Sequence, residues 1–355
     1  MARVDAFNRG REAEDDEFYT RLTDIEKELR HYKSYFKGKT VFCNCDDPYE
    51  SNFFKYFAMN FNVLGLKKLI TTCYVTSPVM YTQLSLFDDM EYQIQVPQNP
   101  NKKPYKVEIT EVTDENGDGA FDLEDIKQLL KSKKNVCKVL KGDGDFRSEE
   151  CVELLKEADI VVTNPPFSLW TPFVKQLLEH RKSFLIIGRE TNTTIKDVFE
   201  WFRSNQIWYG YTHATEFYRP NGTTKKFGNV AWFTNLDVEK RHESLILCKS
   251  YDPASYPHYY NFDGIDVEDI NSIPNDYYGY MGIPSSFLFQ FNPEQFELIG
   301  LARDSKEVPV DRSIYPQIKK LNSNTRPSHI GYFLPDGMPK EPFGRIIIRR
   351  KEQPT

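Results

Sequence analysis

The sequence predicts an α/β fold: a mostly parallel, doubly wound sheet with an inserted segment and a C-terminal α+β extension. Three observations predict it. Short runs of β-branched and aromatic residues alternate with helix-period stretches between residues 40 and 237. Turns rich in Asp and Asn follow successive strands, at Asp46/Asp47, Asp143/Asp145 and Asn164, and in a doubly wound sheet such strand ends converge on one crevice. The apolar run Ile160-Val161-Val162-Thr163 stops at Asn164-Pro165-Pro166-Phe167, where two successive prolines end any regular ladder.

The elements follow in order. Residues 1–15 are polar. Leu22, Ile25, Leu29, Tyr32 and Phe36 mark one helical face that ends at Gly38. A strand over 40–44 runs into the carboxylate-rich turn Cys45-Asp46-Asp47-Pro48, and Ser51 caps the next helix, whose apolar face holds Phe53, Phe54, Phe57 and Phe61. A second strand over 68–74 completes a βαβ unit. Residues 76–134 lose the βα rhythm and read as an insertion, with β character over 105–112. Within it, residues 114–125 copy the oxygen spacing of a calcium loop, but a strand precedes it and Asp125 stands where a Glu would chelate, so a tight turn feeding a helix over 123–130 is preferred. Strand character returns at 135–140, then a helix at 149–156 capped by Ser148, the central strand, a helix at 171–179, a strand at 183–188, a helix at 195–204, and strands at 207–211 and 230–234. Residues 212–229 read as a polar, locally basic loop. Beyond 240, Pro, Tyr and Asn are frequent; Met281-Gly282-Ile283-Pro284 and residues 291–296 read as loop punctuation, and Arg345-Ile346-Ile347-Ile348-Arg349-Arg350-Lys351 as a strand with a basic end. The organisation expected is a helical segment at 1–39, an α/β domain at 40–237 and an extension at 238–355.

Composition narrows the function classes. The chain has 355 residues, 39% hydrophobic and 28% charged, as in ordinary globular proteins. A formal net charge of −6 means that any nucleic-acid surface must be a local basic patch. The N-terminus is polar and charged, and no apolar run is long enough to span a bilayer, so a cytoplasmic protein without membrane contact is expected. The six cysteines are scattered and fit neither a disulfide framework nor a metal knuckle; reduced thiols and no metal are expected.

The chemistry centres on Asn164-Pro165-Pro166-Phe167. The prolines hold Asn164 extended at the mouth of a buried strand. The Asn164 side-chain oxygen and the Pro165 carbonyl can both accept hydrogen bonds from an exocyclic amino group, which exposes the nitrogen lone pair. Phe167 can stack on the ring that carries the amine. The acidic turns can accept from ribose hydroxyls or border a sulfonium, and Phe146 can pack on a purine. Each Asp alone is equally well a helix cap or a solvated turn.

These residues carry a resemblance. Asn164-Pro165-Pro166-Phe167, Asp16-Glu17-Phe18-Tyr19-Thr20 before the first strand, Val41-Phe42-Cys43-Asn44-Cys45-Asp46-Asp47-Pro48, Gly142-Asp143-Gly144-Asp145-Phe146-Arg147-Ser148 and Phe291-Asn292-Pro293-Glu294-Gln295-Phe296 together resemble the EcoRI-type, S-adenosylmethionine-dependent adenine-specific DNA methyltransferases. The resemblance implies a Rossmann-like class I methyltransferase fold and transfer of a methyl group to the N6 amino group of adenine in a specific duplex sequence, by base flipping. It implies catalytic roles for Asn164, Pro165, Pro166 and Phe167. Cofactor contacts are implied for Phe18, Tyr19, Thr20, Asn44, Asp46, Asp47, Asp143, Asp145 and Phe146. Arg219, Lys225, Lys226, Arg349 and Arg350 are candidates for the basic DNA surface, with the extension as the target-recognition part. The resemblance suggests a monomer, with a cognate restriction endonuclease possible but not stably bound. The usual glycine-rich turn after the first strand is replaced by residues 46–51, and the second strand lacks an acidic end. RNA adenine or a protein glutamine amide as the methyl acceptor, and a catalytically silent nucleotide-binding relative, are the competing readings.

Overall fold

The computed structural model describes residues 19–46, 51–73, 104–112, 136–218 and 223–352. Phe18, Asp47, Arg219 and the calcium-loop-like turn at 114–125 lie outside them. By its contacts the chain forms two compact units, Met1–Glu190 with Gly210–Leu236, and Thr191–Tyr209 with Asp237–Thr355.

In the first half the chain runs β1 (Tyr19–Thr20), α1 (Leu22–Leu29), α2 (Lys33–Phe36), β2 (Thr40–Cys43), α3 (Asn52–Met59), α4 (Phe61–Leu64), β3 (Lys68–Thr72), β4 (Tyr105–Ile109) and β5 (Val136–Val139). It continues through α5 (Glu149–Glu157), β6 (Ile160–Thr163), α6 (Trp170–Glu179), β7 (Ser183–Arg189), α7 (Lys196–Arg203), β8 (Trp208–His213), β9 (Glu216–Tyr218), β10 (Thr224–Lys226) and β11 (Val230–Thr234).

Strands without polar alternation must be covered on both faces. β2, β6 and β11 are buried at every residue and form the interior of an eight-stranded sheet of order β5-β4-β3-β2-β6-β7-β11-β8. Its centre is parallel: β3 on β2, β2 on β6, and β6 on β7 with Thr163 opposite Ile186. β4 on β3, β5 on β4 and β11 on β7 are antiparallel. The sheet is therefore mixed rather than mostly parallel. The correction arises at 105–109: read as part of an insertion, this segment alternates buried and half-buried residues and joins the main sheet beside β3.

Two further local differences have clear causes. The helical face at 22–36 is two helices, because Tyr32 leaves helical geometry (φ −114°, ψ 9°) and turns its hydroxyl back to donate to Glu28 at 2.9 Å. The polar stretch after 212 contains β9 and β10, which with β1 make a three-stranded antiparallel sheet in which Tyr19 pairs with Tyr218 and Thr20 with Phe217.

Glu28 fixes the N-terminal helix to the large sheet. Fully buried, its carboxylate accepts from the Tyr32 hydroxyl, from the backbone N–H groups of Tyr211 (2.8 Å) and Thr212 (2.7 Å), and from the Thr212 hydroxyl (2.6 Å). A side chain at Gly210 would run into Glu28 Oε1 and displace the carboxylate from its donors, so glycine suits this position.

The second unit holds β12 (Ile265–Asp266), β13 (Met281–Pro284), β14 (Phe296–Leu301), α8 (Tyr315–Leu321), β15 (Tyr332–Phe333), β16 (Pro339–Lys340) and β17 (Arg345–Arg350). A four-stranded sheet of order β12-β13-β17-β14 carries it, with a register shift between Leu298 and Gly300. Residues 281–284, read as loop punctuation, are an interior strand: Met281 and Ile283 are buried, and bare Gly282 leaves room for the Tyr259 ring. α7 packs on β14 through a face that buries Val198, Phe199 and Phe202. Arg345 donates to buried Asp266 through Nε at 3.0 Å, and Tyr259 donates to the same carboxylate at 2.6 Å. No helix among the described residues is long and apolar enough to cross a membrane.

Candidate active site

The C-terminal ends of β2, β3 and β6 are tied together by side chains. Ser51 caps α3, accepting from the N–H groups of Phe53 and Phe54, and its hydroxyl donates to Asp46 Oδ1 at 2.9 Å. The Thr163 hydroxyl lies 2.5 Å from Asp46 Oδ2 and also contacts the Asn44 carbonyl. Thr71 donates to the Asp46 carbonyl at 2.5 Å, and Thr72 to Asn44 Oδ1 at 3.0 Å. Asn44, Asp46, Thr71, Thr72 and Thr163 are all buried. Both oxygens of Asp46 and the side-chain oxygen of Asn44 thus serve the framework. Cys45 takes a left-handed conformation (φ 67°), a geometry that usually falls to glycine. Burial, reinforced by the Asp46 carboxylate, pushes the Cys45 thiol well above its ordinary range.

Asn164 follows Thr163 directly and is half-buried, with Pro165 buried and Pro166 and Phe167 half-buried. The Phe167 ring meets Phe227 edge-on, centroids 6.3 Å apart at 90°, and Phe227 in turn meets Phe217 at 5.4 Å. The Lys225 ammonium lies over Phe227, 4.9 Å from its centroid, and the Arg189 guanidinium over Phe167 at 5.0 Å. Phe227 and Arg189 were missed in the sequence. Phe227 carries one local signal, the alternation of lysine and aromatic at Lys225-Lys226-Phe227; Arg189 ends a strand, and nothing in its neighbourhood marks it.

The N-terminal motif arrives through β1. Asn52 Nδ2 donates to the Thr20 carbonyl at 2.8 Å, placing β1 beside the start of α3. Thr20 is 3% exposed, and its hydroxyl has no hydrogen-bond partner among the described residues. Tyr19 is half-buried.

The turn at 142–148 is ordered by its own carboxylates. Exposed Asp143 accepts the Asp145 N–H at 2.9 Å, and Asp145 pairs with Arg147 at 2.5 Å, which holds its carboxyl below the usual range. Gly144 has φ +81°, and a side chain there would run into the Cys73 carbonyl, so this turn is pressed against the end of β3. Phe146, expected to face a purine, is 3% exposed, packs on Phe173 at 5.0 Å and lies under Arg147.

The basic candidates are mostly engaged. Lys226 pairs with Glu216 at 3.0 Å. In the second unit Arg349 pairs with Glu297 at 2.6 Å and Arg350 lies over Tyr278 at 5.0 Å. No cluster of His, Cys, Asp or Glu suited to a metal ion occurs among the described residues.

An α/β sheet whose central strand ends in an Asn-Pro-Pro-Phe turn, walled by aromatic rings, matches an amino-group methyltransferase in class. Residues 6–351 match the family model described as adenine-specific methyltransferase EcoRI. The chain is 40% identical to the type II methyltransferase M.EcoRI of Escherichia coli, covering 90% of this chain and 96% of that one. It is 35% identical to M.MpnI of Mycoplasma pneumoniae (82% and 84% covered) and 34% identical to M.MgeORF184P of Mycoplasma genitalium (82% and 85%), both type II methyltransferases. No solved structure matches. The chain belongs to the EcoRI family of type II adenine-specific DNA methyltransferases.

Proposed function

We propose that the chain methylates the N6 amino group of adenine within a specific duplex DNA sequence, using S-adenosylmethionine and flipping the base out of the helix. The observation that carries this is the Asn164–Phe167 turn at the end of buried β6, with Phe167 and Phe227 at right angles. Two rings so arranged suit a planar base, one for its face and the other for its edge.

Asn164 Oδ1 and the Pro165 carbonyl accept the two amino hydrogens and turn the nitrogen lone pair out of conjugation. Neither is a base strong enough to keep a proton, so the proton released goes to water. The work of these residues is positioning and electrostatics. Thr163 fixes Asn164 from behind through its contacts with Asp46 and Asn44.

The residues present fit the cofactor. The buried, unpartnered Thr20 hydroxyl offers a donor for a carboxylate, and Asp143 and Asp145 form an acidic rim suited to hydroxyls and a cation. Phe18, Tyr19 and Asp47 belong to the expected set as well, while Phe146, buried against Phe173, supports the turn. Asn44 and Asp46 act in our reading by shaping the turn. S-adenosylmethionine, when bound, supplies an electrophilic methyl on a sulfonium that leaves as a thioether. The sheet order, with one antiparallel strand between β7 and β8, fits a Rossmann-like class I methyltransferase. We take the chain to act as a monomer, with Lys225, which lies over Phe227, as the basic candidate beside the base site.

Methyl transfer from labelled S-adenosylmethionine to unmethylated DNA, with the product base identified by mass spectrometry, tests the reading. N6-methyladenine is expected. Asn164→Ala should keep cofactor binding and lose about 10²–10³-fold in turnover, the scale of losing one positioned polar group. Near-normal turnover in that variant would show that the turn is not catalytic.

A further inference from the structure

Arg189 is the last residue of β7, beside β6 in the parallel centre of the sheet and opposite Val230 of β11. The side chain is half-buried, and its guanidinium carbon lies 5.0 Å from the centroid of Phe167. Its Nε is buried and has no hydrogen-bond partner among the described residues. The next residue, Glu190, faces His213 at 3.4 Å.

Two effects oppose each other here. A cation over an aromatic face is favourable, while a buried donor without an acceptor is costly. The guanidinium is therefore held lightly on the ring of the residue on which a base would stack, with a donor still to be used. The acceptor that would use it is an oxyanion. A nucleotide turned out of a duplex carries its two flanking phosphates to the rim of the pocket, and the planar fork of arginine matches phosphate oxygens in pairs.

We propose that Arg189 is a positioning residue for the target nucleotide: its guanidinium, set over Phe167, moves onto a phosphate flanking the flipped adenine when the base takes the ring. The inference rests on the base-flipping reading above. It adds a named residue that couples release of the ring to capture of the DNA backbone. The carboxylate of S-adenosylmethionine is the other oxyanion within the reaction, so cofactor and DNA are tested separately.

The test compares the wild-type chain with Arg189→Ala and Arg189→Lys on a duplex holding the mapped target, with either flanking phosphate replaced by an uncharged methylphosphonate. Arg189→Ala should leave cofactor affinity unchanged and lower single-turnover methylation about ten- to a hundredfold, the scale of one charge-assisted hydrogen bond. Its log–log salt dependence of DNA binding should flatten by about one unit. Arg189→Lys should restore the salt slope and only part of the rate. With 2-aminopurine in place of the target adenine, the fluorescence rise that reports the unstacked base should shrink in Arg189→Ala. One methylphosphonate should slow the wild type as much as the mutation does, and cost Arg189→Ala nothing further. Losses that multiply instead, an unchanged salt slope, or a defect confined to cofactor binding would overturn the proposal. Asn164→Ala, run in parallel, separates the outcomes: if it retains turnover the catalytic reading fails, whatever Arg189 does to DNA binding.

Discussion

Glu28 Oε1 accepts the backbone N–H of Tyr211 at 2.8 Å across 183 positions of sequence. A carboxylate with no exposed surface thereby joins the first helix to the last-placed strand of the large sheet. Glu28→Ala leaves three residues' donors buried without an acceptor, and should cost about 3–5 kcal/mol in denaturant unfolding. Burial, the largest influence, raises the Glu28 carboxyl above its ordinary 4.5 despite the hydrogen bonds that lower it. A raised carboxyl means that the folded chain holds its proton longer than the unfolded one. Its contribution to stability is complete below about pH 4.5 and falls as pH rises through the raised value. Glu28→Gln should remove that part of the pH dependence; an unchanged profile would assign it elsewhere.

Thr163→Val keeps shape and removes the hydroxyl between Asp46 and Asn44. The buried Asp46 oxygen then loses a donor, and the predicted loss is about 1–3 kcal/mol in stability. Because Asn164 is the next residue, turnover should fall more than cofactor affinity does. Comparing kcat with cofactor Kd in the folded variant checks this; equal losses in both would make the hydroxyl purely structural.

Gly144→Ala drives a methyl group into the Cys73 carbonyl at a backbone angle of +81°. The left-handed conformation alone costs about 1–2 kcal/mol, and the clash adds to it. Since the same turn carries Asp143 and Asp145, the variant should bind S-adenosylmethionine more weakly by calorimetry, as well as melting earlier. Unaltered affinity would remove this turn from the cofactor site.

His242 lies between Asp237 (2.8 Å) and Glu294 (3.2 Å), and these hydrogen bonds, Asp237 first, raise it above its ordinary 6.5. A raised histidine stabilises the folded state fully below about 6.5, and the contribution fades as pH rises through the raised value. The ring is largely solvated, so the effect is small. Melting curves from about pH 6 to about pH 9 should show a decline that His242→Ala lacks.

What could be read in the sequence was local. β2 and β6 were legible because unbroken apolar runs leave few alternatives to a buried strand, and the Asn164 turn because consecutive prolines leave the backbone little choice. Pairing between distant segments was not legible. β1 and β9 are short and polar enough to pass for loop, and become strands only because they meet. Met281-Gly282-Ile283-Pro284 looked like a turn because Gly and Pro usually break strands, whereas here the glycine makes room for Tyr259. Asn44 and Asp46 stood out as polar residues at a strand end, and the sequence cannot show that Thr72, Ser51 and Thr163 already occupy their oxygens.

The pairing of Thr20 with Phe217 also sets an order of events during synthesis. At roughly 5–20 residues per second, the strand that carries Tyr19 and Thr20 leaves the ribosome on the order of 10–40 s before its partner. Through that interval the nascent chain holds half of a small sheet whose other half has not been made. Chains released before Tyr218 contain the whole Asn164–Phe167 turn yet lack the hairpin that brings Phe227 to it. Products truncated before Tyr218 should therefore lack the Phe227 wall of the base site and show no methylation of DNA.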